Sequence, residues 1–158
     1  MSEAIPLGDS ASIACRAAVP DVLEKMFFEL VAESPGICSL PESEPLDMSR
    51  VDFGGSARGS LIVAVPPSLS ASLTAAFLAL EDQGTSASNI EFVLGELANI
   101  LCGSALGRLQ PDGVLRLSTP VTRLGRILAE PSGNCFSWIR FPMDNGPLFV
   151  GLRLEPSQ

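Results

Sequence analysis

The chain has 158 residues, 46% of them apolar, and a formal net charge of −8. That is enough chain for one full core and too little for two comfortable ones, so a single domain spanning 1–158 is expected. The acidic balance offers no Lys/Arg-rich stripe to replace phosphate counterions and excludes an electrostatically driven nucleic-acid binder. The absence of histidine removes imidazole-based triads and the commonest zinc ligand sets.

Residues 1–9 read as a frayed, flexible start. Pro20 then either opens the first helix or kinks a longer one beginning near Ser10. Val22, Leu23, Met26, Phe27, Leu30 and Val31 would give its buried face, with Phe28 also placed in the core. Residues 34–44, rich in Pro, Ser and Glu, read as a loop. Strands are expected at 49–55 and 58–65 around a glycine-containing turn. A helix over 68–81 would bury Leu69, Leu73, Phe77 and Leu80.

The next helix is the most legible element. Ser88-Asn89-Ile90-Glu91 has the S-x-x-E spacing of a capping box. Ile90, Val93, Leu94, Leu97, Leu101, Ala105 and Leu109 follow at steps of three and four, one stripe to be buried. Arg108 suits the negative end of the helix dipole, and Pro111 marks the stop. Strands follow at 113–119, 133–141 and 147–155, the last two joined by the tight-turn signal Asp144-Asn145-Gly146. The pattern predicts an α+β fold: a layered domain with a largely antiparallel sheet and helices on one face.

Opposite the apolar stripe of the long helix lie Glu96 and Asn99, with Phe92 one turn before and Gly103 one turn after. A carboxylate and a carboxamide three residues apart share one helix face. Gly95 and Gly103 each cost about 1 kcal/mol relative to Ala in a helix interior, so that face is not built for helix stability. They admit either a partner's backbone or tight packing within the fold, and Phe92 is either an exposed anchor or covered by the same chain.

The run Gly95-Glu96-Leu97-Ala98-Asn99-Ile100-Leu101-Cys102-Gly103, followed by Leu115-Arg116-Leu117-Ser118, Thr119-Pro120 and Gly125, resembles the CheX branch of the CheC/CheX/FliY chemotaxis phosphatases. Val22-Leu23-Glu24-Lys25-Met26-Phe27 resembles that family's first helix, and Val51 to Ser56 with Arg58 to Leu61 its early strand pair. The resemblance spans about residues 18 to 155. It implies two pseudo-symmetric halves, a homodimer joined through the sheet, and hydrolysis of the aspartyl phosphate of a CheY-like response regulator. Glu96 and Asn99 would be catalytic, and Phe92, Gly95 and Gly103 would meet the partner. No cofactor of the chain's own is implied, since Mg²⁺ and a lysine come from the regulator.

The family often has Asp or Ser four residues before the glutamate; here Phe92 stands there and the acidic Glu91 is one place earlier. CheC-like members carry a second E-x-x-N on the first helix, whereas Glu24 is followed three residues on by Phe27. One site is implied. The competing reading is a non-catalytic module on the same fold that binds a regulator or sits in a motor or signalling assembly. Cys15, Cys38, Cys102 and Cys135 are widely spaced and read as reduced, mostly buried thiols of a cytoplasmic protein. No apolar run approaches the roughly eighteen residues needed to span a bilayer, and no membrane partner is expected.

Overall fold

The computed structural model describes residues 9–32, 34–38, 44–80, 86–126 and 136–155. The expected flexible start therefore lies outside the described residues except at its end, as do Cys135 and the first residues of the strand expected from 133. Ten elements follow in order: α1 (Asp9–Phe27), β1 (Gly36–Cys38), β2 (Leu46–Gly55), β3 (Gly59–Val65), α2 (Pro67–Leu78), α3 (Ala87–Leu109), β4 (Leu115–Leu117), β5 (Val121–Arg126), β6 (Ser137–Phe141) and β7 (Leu148–Leu154).

The seven strands form one sheet in the order β1-β6-β7-β3-β2-β4, with β5 also paired to β2, and every pairing is antiparallel. Alternation along each strand splits the sheet into two faces. Val51, Phe53, Leu61, Val63, Ile139, Phe141, Val150 and Leu152 join the main core with residues of all three helices. Leu46, Met48, Ile62, Ala64, Trp138 and Phe149 form a smaller cluster on the opposite face. The α+β layered arrangement is thus observed, and the helix-then-strands order occurs twice, in α1 with β1–β3 and in α3 with β4–β7.

Helix α1 is the longer of the two alternatives, with Pro20 inside it. Its buried face runs through Ala11, Cys15, Ala18, Val19, Val22, Leu23 and Phe27. The chain leaves it at Phe28, which takes a left-handed φ of 57° while Glu29 N–H closes on the Leu23 carbonyl at 3.1 Å. Helical spacing ends there, so Phe28 and Leu30 fall outside the core at 77% and 67% exposure, and Met26 in the last turn is exposed as well. The same device ends α2. Ala79 adopts φ 57°, Leu80 N–H returns to the Ala75 carbonyl, and Leu80 is exposed rather than buried. Leu69 and Leu73 are buried as expected, and Phe77 stacks on Phe27 at 4.9 Å.

The cap of α3 is Ser86, whose hydroxyl accepts from Asn89 N–H at 3.1 Å, two residues before the expected Ser88. By length and composition α3 is apolar enough to cross a bilayer, a correction to the expectation that no run comes close; half of that stretch is buried inside the fold, as befits a core helix. Two short strands were read otherwise: β1 lies within the expected loop, and β5 lies beyond the expected end of β4.

Candidate functional site

Val93, Leu94, Leu97, Leu101 and Ala105 are buried, so α3 presents its stripe to the core as the spacing predicts. At 100° per residue, Phe92, Glu96, Asn99 and Gly103 fall within about 60° of arc on the other side. Phe92 is 56% exposed and Gly103 is open, with nothing within 4 Å of where a Cβ would stand. Glu96 and Asn99 between them are half-buried rather than freely solvated.

Of the elements packed on α3, two flank the polar face. On one flank it packs along α1, with Arg108 paired to Asp21 at 3.4 Å and Asp21 to Lys25 at 2.9 Å. The hydrogen bond from Lys25, with Arg108 adding to it, holds the Asp21 carboxyl below its ordinary range. On the other flank α3 meets β5 and the Ser118-Thr119-Pro120 break that precedes it. Gly95 is buried there: a Cβ on it would stand 3.4 Å from Pro120 Cβ and 3.8 Å from Thr122 Oγ1. Its place is against the protein's own sheet edge, which removes it from the surface open to a partner. The Thr122 hydroxyl donates to Ser49 Oγ at 2.9 Å and lies 3.5 Å from the Glu91 carbonyl.

Among the described residues Glu96 makes no hydrogen bond or salt bridge, leaving a carboxylate available to a cation. The Asn99 Oδ1 is buried and has no hydrogen-bond partner. Burying such a group unpaired costs about 1–3 kcal/mol, and swapping the two ends of the carboxamide would leave an unmet donor instead. An acceptor and a donor on one short side chain can hold a water in a fixed direction.

Glu91 does not stand in for the absent Asp or Ser, because it is about 140° around the helix from Glu96. Cys102, one turn from Asn99, is buried, and burial pushes its thiol up to about 12; it stays protonated and inert. Cys15 is likewise raised to about 11. Pro120 and Thr122, which brace the site turn, were not singled out from the sequence. The proline was visible as part of the motif, but no periodicity says what it touches.

The chain belongs to the chemotaxis phosphatase CheX family, whose family model matches residues 48–141. A CheC-like superfamily protein from Shewanella sp. PV-4 superposes with a TM-score of 0.76 at 17% identity, covering 94% of this chain and 99% of that one. CheX from Desulfovibrio desulfuricans gives 0.76 at 19% identity, covering 92% and 99%. The CheX–CheY–BeF3–Mg²⁺ complex from Borrelia burgdorferi gives 0.72 at 17% identity, covering 92% and 98%. No curated protein matches the sequence.

Proposed function

We propose that this protein hydrolyses the aspartyl phosphate of a CheY-like response regulator, with Asn99 and Glu96 as the residues that do so. The observation that carries this is the unpartnered Asn99 Oδ1 beside a free Glu96 carboxylate on one helix face, in a chain of the CheX family. The solved relative in which CheX is bound to CheY supports the choice of partner. In the reaction the water oxygen bonds to phosphorus while the bond from phosphorus to the aspartyl oxygen breaks. The electron pair returns to the carboxylate, and the water proton leaves with inorganic phosphate. A metaphosphate-like transition state asks chiefly for alignment and charge stabilisation. The regulator supplies Mg²⁺ and a lysine; Asn99 orients the water in line, and Glu96 pairs with that lysine.

The test is the lifetime of phosphate on a panel of response regulators from the same cell, with and without the protein, in Mg²⁺. Shortening for one regulator, lost by about 10²-fold in Asn99→Ala while binding persists, is the expected result. Equal lifetimes with wild type and Asn99→Ala would overturn it. Glu96→Lys should weaken association by repulsion with the partner's lysine. The second reading, a non-catalytic regulator-binding module, draws on Phe92, exposed at 56% where the family often has Asp or Ser; binding without acceleration across a complete panel would favour it.

A homodimer joined through the sheet belongs to the same proposal. Trp138 and Phe149 are buried packing residues, and their strands β6 and β7 are paired on both sides. The edge on that side of the sheet is β1, which carries Ile37 at 75% exposure. Sedimentation showing a monomer at micromolar concentration would remove the dimer.

A further inference from the structure

On the sheet face turned away from the helices, the ends of β2, β3 and β7 enclose a cleft of about 250 Å³ lined by Arg50, Asp52, Arg58, Ser60, Arg153 and Glu155. Register builds it. Asp52 is paired with Ser60, and Ser60 with Arg153, while the alternating Val51 and Leu61 point to the main core. Three of the ten cationic side chains of a chain with net charge −8 thus meet in one concavity.

Two of these cations are matched. Arg50 Nε donates to Asp52 Oδ1 at 2.9 Å, and Arg153 Nη2 to Glu155 Oε2 at 3.2 Å. Ser60 Oγ donates to Asp52 at 2.6 Å and accepts from Arg50 Nη2 at 3.1 Å, so the carboxylate and hydroxyl hold one another. Arg58 is exposed, and its side chain has no ion pair or hydrogen bond among the described residues. Arg153 Nε is buried and has no acceptor. The guanidinium groups of Arg50 and Arg153 both lie over the Phe136 ring, 5.7 and 5.8 Å from its centre. Stacking of this kind limits their freedom before any ligand arrives.

The cleft therefore holds one uncompensated positive charge and one buried N–H that lacks an acceptor. An oxyanion answers the charge, meeting Arg58 and the Nη1 of Arg153, because guanidinium groups match phosphate oxygens in direction as well as charge. We propose that this cleft binds a small phosphorylated organic molecule by its phosphate, with Arg58 and Arg153 as the binding residues. A tetrahedral phosphate has oxygens enough to meet both arginines while the body of the ligand rests along the wall at Gly54. The volume is below the roughly 300–1,000 Å³ usual for ligand pockets, which suits a ligand the size of a sugar phosphate. Phe92, Glu96, Asn99 and Gly103 lie on α3, across the sheet, so occupancy leaves that face open.

Calorimetric titration of the full chain with ribose 5-phosphate and, separately, with inorganic phosphate at constant ionic strength tests this, with the Arg58 and Arg153 Nε–H NMR signals as a site-specific readout. Saturable binding of ribose 5-phosphate that moves the Arg153 signal is expected. It should weaken about tenfold in Arg58→Ala, the loss of one charge-assisted hydrogen bond, and vanish in Gly54→Leu. The leucine projects into open space, since nothing lies within 4 Å of a Cβ at Gly54, so folding should be preserved. Absence of saturable binding, binding unchanged in both variants, or binding of inorganic phosphate with no binding of ribose 5-phosphate would each overturn the proposal.

Discussion

Thr122 on β5 gives its hydroxyl hydrogen to Ser49 on β2 across 2.9 Å, within van der Waals reach of the Cβ position of Gly95 in the turn of α3 that carries Glu96. Sheet edge, the strand beside it and helix are thereby in contact at one point. The turn that carries Glu96 is braced from behind by this packing.

Asn99→Ala should stabilise the protein while it removes activity. The substitution deletes a buried oxygen that has no partner and replaces a mediocre helix former with the best one. A gain of about 1 kcal/mol, or roughly 2–4 °C in Tm, is expected. Thermal unfolding followed by circular dichroism checks it, and a drop in Tm would mean that the carboxamide is satisfied within the free protein.

Gly103→Ala separates folding from association. Nothing stands near the added methyl, so urea unfolding should show about 1 kcal/mol of added stability from helix propensity. If a partner's backbone comes close at this turn, affinity for the regulator should fall in the same variant. Unchanged affinity in titration would free Gly103 from a contact role.

Asp47 is a structural carboxylate. It is buried at 5% exposure and accepts from Ser70 Oγ at 2.6 Å and from Gly125 N–H at 2.8 Å, tying β2 to α2 and to β5. Asp47→Ala leaves both donors unmet and should cost about 2–3 kcal/mol. Asp47→Asn, which keeps an acceptor for Gly125, should cost less. Equal urea midpoints for wild type and Asp47→Ala would contradict this assignment.

The cysteines set an alkaline limit. Burial raises Cys15 to about 11 and Cys102 to about 12 from an ordinary 9.0. A raised folded value means that the contribution of these thiols is full below 9.0 and is lost as pH rises toward 11–12. The chain has no tyrosine, and Lys25 is its single lysine, so few other side chains titrate there. Urea midpoints should fall between pH 9 and 11 in wild type and fall less in Cys15→Ala; parallel curves would count against it.

The long helix was legible because seven apolar residues keep helical spacing over twenty positions, and a signal of that length outweighs local noise. Its exact start was not, since Ser86 and Ser88 are both capable caps and only the backbone decides between them. The misplacement of Phe28 and Leu80 has one cause. Both lie at or just beyond a left-handed residue that is not glycine, Phe28 itself and Ala79, and no sequence signal marks such an exit. Strands β1, only three residues long, and β5 lie at the sheet margins, where pairing rather than composition defines them. The polar pair on α3 could be found from the helical wheel, whereas the burial of Asn99 depends on neighbours that the wheel does not contain.

Strand β2 shares one of its sides between β4, near Phe53, and β5, near Ser49. The gap between the two is Ser118 to Pro120, anchored by Ser118 to the backbone of Asp52 at 2.8 and 2.9 Å and leaning by Pro120 on Gly95. Three residues there oppose two of β2, Val51 and Asp52, so the span holds one residue more than a regular ladder would and bends the chain between β4 and β5. The turn that carries Glu96 thus rests on an irregularity of the sheet margin, so its position depends on that one extra residue as well as on the apolar stripe beneath it.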